Sequence, residues 1–375
     1  KEDVVSLGMD PFGNYLVQKL VQYGTSEQRA ALIDGAVERM VEVALNVHGT
    51  RVVQKMVECA DSAAQQSALC AALLPSIMQL IRDMNANHVV QRCLAALPAE
   101  QAAGIYDRAV SDCLAIATHR HGCCVLQRCL DHAPAPHREE IIGEVVRLAP
   151  KLVVDPFGNY VVQYILDLRQ PTLTHAIVQA LRGGFAELSL QKFSSNVIEK
   201  CLKSGNPTAV AVVANELTAS EARPPLPPRY PNPSPTRTVP EPCVARAPSF
   251  ISPHISPHLP VWDGCALSIP PCSFAHSFVH PTHATGHSLR HPSLQSLLSL
   301  MSWNWPPAVP FSPQAFATLL HDPFANYVIQ TLLTVGEDNV VALLVATITP
   351  HLPTLRSTLY GKRIQAKLLK RCPAT

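Results

Sequence analysis

One seven-residue pattern returns along this chain at a nearly constant interval, and that period limits the fold more than any other feature. It reads Phe12-Gly13-Asn14-Tyr15-Leu16-Val17-Gln18 at its first occurrence. It recurs around Thr50, Asn87, Cys123, Asn159, Ser195 and Asn326, with a degenerate copy at Tyr360-Gly361-Lys362-Arg363-Ile364-Gln365-Ala366. Successive third positions lie 36, 37, 36, 36, 36, 131 and 36 residues apart. A unit of this size built from short helices cannot bury its apolar face alone, so neighbours must stack into an α-solenoid. The 131-residue step exceeds one period by 95, which marks an insertion between intact units.

Between copies the sequence is helical. Thr25 to Gln28 and Ser62 to Gln65 have the spacing of capping boxes and lead into runs rich in alanine and leucine. Strand signals are scarce. Within a copy, residues such as Leu16, Val17, Leu20 and Val21 form one apolar helical stripe, expected to be the core between units.

The third, fourth and seventh positions fall at about 0°, 100° and 40° around a helix of 3.6 residues per turn, so they share one face. A solvated face would vary freely, yet the seventh position is Gln in six copies and Glu in another. Asn and Gln each offer a donor and an acceptor, so such a pair one turn apart suits a uracil edge. The carboxylate in the Ser195, Asn196, Glu199 copy accepts only, which suits the adjacent N–H donors of guanine. The intervening Tyr15, Arg51, His88, Tyr160, Asn196 and Tyr327 are mostly planar groups that can stack on bases, at about 1 to 3 kcal/mol per base.

At these residues the chain resembles the Pumilio (PUF) family, over residues 1 to about 205 and 313 to 372. The resemblance implies an all-α fold: a curved α-solenoid, or superhelix, of three-helix repeats, each reading one base of single-stranded RNA. Carried over position by position, Asn14 with Gln18, Asn87 with Gln91, Asn159 with Gln163 and Asn326 with Gln330 read uracil. Ser195 with Glu199 reads guanine, and Thr50 with Gln54 and Cys123 with Gln127 read adenine. The family binds RNA antiparallel, so the expected motif is 5′-UGUAUAU. The resemblance further implies binding in mRNA 3′ UTRs, recruitment of mRNA decay or translation-repression proteins, a monomer and a cytoplasmic location. Cys124 stands in a stacking position that resembles an Arg position in relatives, and it cannot stack comparably. An upstream repeat for a further 3′ base is expected to lie outside the chain, with the first repeat truncated. Lys362, Arg363 and Ala366 fit a terminal capping repeat whose charges reach phosphate.

The expected organisation is repeats over 1–205, an insertion over 206–312, and a last reading repeat plus cap over 313–375. Glu221 to Pro313 hold 21 of the 34 prolines and all three tryptophans, a composition that favours extended or disordered chain. Lengthening a connection this way costs only roughly 2 to 3 kcal/mol of loop closure, so the flanking repeats can still stack. Within it, the stretch from Leu294 to Met301, with Trp303 and Trp305, is a candidate docking segment.

The remaining features exclude other classes. The net charge of +2 gives little long-range pull on a polyanion, so any nucleic-acid site is locally organised. The 12 cysteines show no disulfide-framework spacing, and free thiols in a reducing compartment are expected. The group Cys113, His119, His121, Cys123 and Cys124 matches no zinc-finger spacing, and its members fill repeat positions, so neither metal nor cofactor is expected. There is no run of 18 apolar residues for a membrane span. No phosphate loop, nucleophile elbow or paired catalytic carboxylates appear, so the chain does not read as an enzyme. The alternatives are a nucleolar pre-rRNA processing factor, which would tolerate broken triplets, and a protein-binding helical-repeat scaffold.

Overall fold

The computed structural model describes residues 2–219 and 313–371, and among these every regular element is helical. Each unit runs short helix, central helix, outer helix. The first unit is complete in this sense, with Glu2–Met9, Gly13–Tyr23 and Ser26–Ala36, where a truncated repeat was expected. The central helices are Gly13–Tyr23, Gly49–Cys59, Asn87–Ala96, Gly122–His132, Gly158–Asp167, Lys192–Lys203, Ala325–Val335 and Leu359–Arg371. Each packs on the next, and the outer helices form a second layer in the same order, giving the curved α-solenoid.

Local chemistry explains the element boundaries. At Thr25 both halves of the capping box form: Gln28 N donates to Thr25 Oγ1 at 3.3 Å, and Thr25 N donates to Gln28 Oε1 at 2.9 Å. At Ser62 only the forward half forms, with Gln65 N donating to Ser62 Oγ at 3.3 Å. The Gln65 side chain instead takes Asp61 N and donates to Ser26 of the preceding unit, tying the two outer helices together. The run Ala63–Arg82 is long and apolar enough to cross a membrane by length and composition. Here it breaks at the 3₁₀ turn Leu74–Ser76 and buries Leu69, Leu73, Ile77, Leu80 and Ile81 against neighbouring units.

The apolar stripe forms the core between units. Val52, Val53, Met56 and Val57 are each no more than 1% exposed, and the matching residues of the next five copies are buried as well. Burying a side chain of this kind stabilises by about 1.5 to 3 kcal/mol, so the stacked interfaces hold the array together. The first copy departs from the expectation. Val17 and Val21 are buried, but Leu16 and Leu20 are 54% and 47% exposed, because no unit among the described residues covers that side.

The repeat region extends past the expected boundary at 205. Asn206 caps a further helix, Pro207–Thr218, by accepting from Ala209 N at 3.3 Å, and Pro207 sits at its first turn. The helix buries Val210, Val213, Ala214 and Leu217. Its Glu216 carboxylate accepts Gly183 N at 2.6 Å and Phe185 N at 2.7 Å, pinning a turn in which Gly183 takes φ 88°. This helix is therefore integral to the sixth unit. The units flanking the long gap do stack: helix 192–203 packs on helix 325–335, and helix 207–218 on Asp338–Ile348. The extended or disordered character expected of the insertion, and the docking segment around Trp303 and Trp305, lie outside the described residues.

Candidate RNA-reading surface

Five of the eight central helices begin with the same device. Two residues ahead of the pattern, Asp10 Oδ1 accepts Phe12 N at 2.8 Å and Gly13 N at 2.6 Å. Asn46, Asp83, Asp155 and Asp322 do likewise with their own following amides. These bonds occupy amides that a helix leaves orphaned at its start. They hold the Asp10 carboxyl below the usual carboxylate range, while burial pushes that of Asp155 up. Sequence reasoning missed this role, although the polar residue at that offset was a visible signal.

In the fourth unit His119 takes the same place, and its Nδ1 accepts His121 N at 3.3 Å. The nitrogen accepts only when unprotonated. Burial first, then Arg82 and Arg120, hold the His119 pKa below the ordinary histidine value, and burial likewise lowers His88 and His121. A group with a depressed folded pKa adds stability above its unfolded value and loses it as pH falls through the folded one. The melting temperature should therefore drop as pH falls below about 6.5, and His119→Asp should remove part of that drop. An unaltered pH profile in the variant would count against the cap.

The device also places the third-position side chain. Asn14 Nδ2 donates to Asp10 O at 2.8 Å and Pro11 O at 2.9 Å, and its Oδ1 accepts Gln18 Nε2 at 2.9 Å. Asn87 with Gln91, Asn159 with Gln163 and Asn326 with Gln330 repeat the arrangement, with amide-to-amide distances of 2.9, 2.8 and 2.8 Å. In the second copy Gln54 Nε2 donates to Thr50 Oγ1 at 3.2 Å, and Thr50 donates across to Asn85 O at 3.1 Å. Cys123 Sγ lies 3.5 Å from Arg120 O, and Ser195 Oγ donates to Lys192 O at 3.3 Å.

The three positions form a graded wall. All seven third-position residues are buried, none more than 4% exposed. The seventh position, Gln18, Gln54, Gln91, Gln127, Gln163, Glu199 and Gln330, is half-buried throughout. The fourth position stands outermost: Tyr15, Arg51, His88, Asn196 and Tyr327 are exposed, and Tyr160 and Cys124 half-buried. Sequence reasoning treated third and seventh positions as equal readers. Burial makes the seventh the prominent one, with the third held beneath it.

Gln Oε1 remains free to accept, and its second Nε2 hydrogen to donate, so one amide can meet both a donor and an acceptor on a base edge. Glu199 can only accept. Its Oε2 takes Lys203 Nζ at 2.7 Å and Thr331 Oγ1 at 3.3 Å. The fourth positions of the last two copies touch, with Arg363 Nη1 donating to Tyr327 Oη at 3.1 Å. The Cys124 thiol is held below the ordinary thiol value, chiefly by the neighbouring Cys123 thiol and further by Arg128. Its side chain has no planar face to lay on a base, so it stacks less well than its planar counterparts. The eight described cysteines are free thiols.

Seven stretches of the chain match the Pumilio-family RNA binding repeat: residues 3–35, 39–74, 76–108, 112–146, 150–182, 184–218 and 316–349. Pumilio homolog 9 of Arabidopsis thaliana is 42% identical over 219 residues, 58% of this chain and 38% of that protein. Pumilio homolog 12 of the same plant is 41% identical over 217 residues, 57% of this chain and 36% of that protein. The chain thus spans less than half the length of these relatives. A solved Puf4 RNA binding domain, bound to an HO endonuclease RNA 3′ UTR recognition sequence, is 30% identical with a TM-score of 0.68. The match covers 98% of this chain and 88% of that one.

Proposed function

The chain belongs to the Pumilio family of RNA-binding repeat proteins, and on that premise we propose that it binds single-stranded RNA by sequence, reading 5′-UGUAUAU. One observation carries the reading. In seven copies a buried hydrogen-bonding side chain lies beneath a half-buried amide or carboxylate one turn away, with a stacking position beside them. The third position then acts as a gate on size. Asn stands under the four glutamines assigned to uracil, while the smaller Thr50, Cys123 and Ser195 stand where a purine is assigned. The seventh position chooses the pattern of donors and acceptors, since Gln can both donate and accept but Glu only accepts.

Read antiparallel, Asn326 takes the first base, Ser195 with Glu199 the second, and Asn14 the seventh. We further propose that the bound RNA is the 3′ UTR of cytoplasmic mRNA and that binding regulates its decay or translation through recruited proteins. The related domain bound to a 3′ UTR recognition sequence supports this. The intact triplets favour it over a nucleolar pre-rRNA role. A random pool of single-stranded RNA selected on the purified chain should become enriched in UGUAUAU. Enrichment of an unrelated motif, or none, would sink the base assignments.

A further inference from the structure

We propose that Thr331 of the seventh repeat is a positioning residue for guanine recognition by Glu199 of the sixth. The second letter would then be read in full only when the repeats on either side of the long gap are docked. This rests on the reading of Glu199 as the guanine reader.

The residue following the seventh position is basic in six of the eight copies: Lys19, Lys55, Arg92, Arg128, Lys200 and Lys367. Several of these residues bond the preceding repeat at a fixed register, four residues past its seventh position. Arg92 Nε meets Glu58 Oε1 at 3.0 Å, Lys200 Nζ meets Asp167 Oδ2 at 2.5 Å, and Lys367 Nζ donates to Thr334 Oγ1 at 2.7 Å. Tyr164, one of the two exceptions to the basic rule, keeps the register by donating to Asp131.

Thr331, the other exception, breaks that register. The residue it would reach is Lys203, which a cation at 331 would oppose. Its short side chain, 7% exposed, turns to the Glu199 carboxylate itself and donates at 3.3 Å. The one repeat that reads with a carboxylate is thus followed by the one repeat with a threonine at this place.

Guanine presents two adjacent donors, so both Glu199 oxygens must accept from it. Oε2 has about two lone-pair sites, and Lys203 and Thr331 already fill them. One donor has to yield. The Lys203 side chain is 58% exposed and can return to water at little cost. The buried Thr331 hydroxyl has no such recourse, so it stays and fixes the carboxylate plane before the base arrives.

The test is the ratio of affinities for UGUAUAU and UAUAUAU, measured on the whole chain. Thr331→Val has nearly the same shape and lacks the donor. It should lower the preference for guanine roughly five- to ten-fold, leave UAUAUAU binding unchanged, and be reversed in Thr331→Ser. A wild-type ratio in Thr331→Val, or equal weakening of both RNAs, would overturn the proposal. Wild-type protein indifferent to the second base would overturn the reading of Glu199 itself, a result distinct from either.

Discussion

RNA in which UGUAUAU is changed to ACAAUAU is expected to bind on the order of a thousand-fold more weakly, since each wrong letter costs about 1 to 3 kcal/mol. The first three letters face Asn326 with Gln330, Ser195 with Glu199, and Asn159 with Gln163. Adenine in place of uracil brings a larger ring over a third position already filled by Asn, whose amide is committed to the backbone carbonyl of Asp322 or Asp155. Cytosine in place of guanine brings an acceptor ring nitrogen against the Glu199 carboxylate, which has no hydrogen to give. Titration of labelled RNAs at one fixed salt concentration measures the difference, because phosphate contacts shift both affinities with ionic strength. Equal affinities would remove base reading altogether.

Replacing Ser195 with Asn and Glu199 with Gln should move the second-base preference from guanine toward uracil. The exchange gives the sixth copy the chemistry of the fifth: an amide that both donates and accepts, over an Asn that narrows the space. Because helix 192–203 keeps its buried Val197, Ile198, Cys201 and Leu202, the solenoid is untouched. We expect the ratio of affinities for UUUAUAU over UGUAUAU to rise by roughly ten- to a hundred-fold, the worth of one or two hydrogen bonds to charged or buried partners. A ratio equal to that of the unmodified protein would separate Glu199 from the second base.

Much of this architecture is legible from the repeat alone. A 36-residue period with one apolar stripe per copy has few solutions besides a helical solenoid, and the faces of the central helices follow from 3.6 residues per turn. Other features depend on neighbours that periodicity does not name. Leu16 and Leu20 fit the stripe as well as Val52 and Met56 do, but burial is decided by whether another unit lies alongside. The helix beginning at Asn206 and Pro207 has a recognisable start, but the composition shift just beyond it drew the boundary too early. That Asn14 spends its amide on Asp10 and Pro11 follows from a backbone path that brings both carbonyls within reach. The contact between Thr331 and Glu199 joins residues 132 apart, so only the stacking across the insertion makes it visible.

The closed Asn and Gln pairs bear on how much information each repeat can carry. When a wrong base arrives, Gln18 or Gln163 can fall back on its own Asn at 2.9 or 2.8 Å, so a mismatch leaves fewer buried groups stranded than an empty pocket would. Each letter is therefore enforced softly. Fidelity resides in the length of the word: seven modest choices, made by units that contact only their neighbours, multiply into one address, and a single misspelling lowers occupancy without abolishing it.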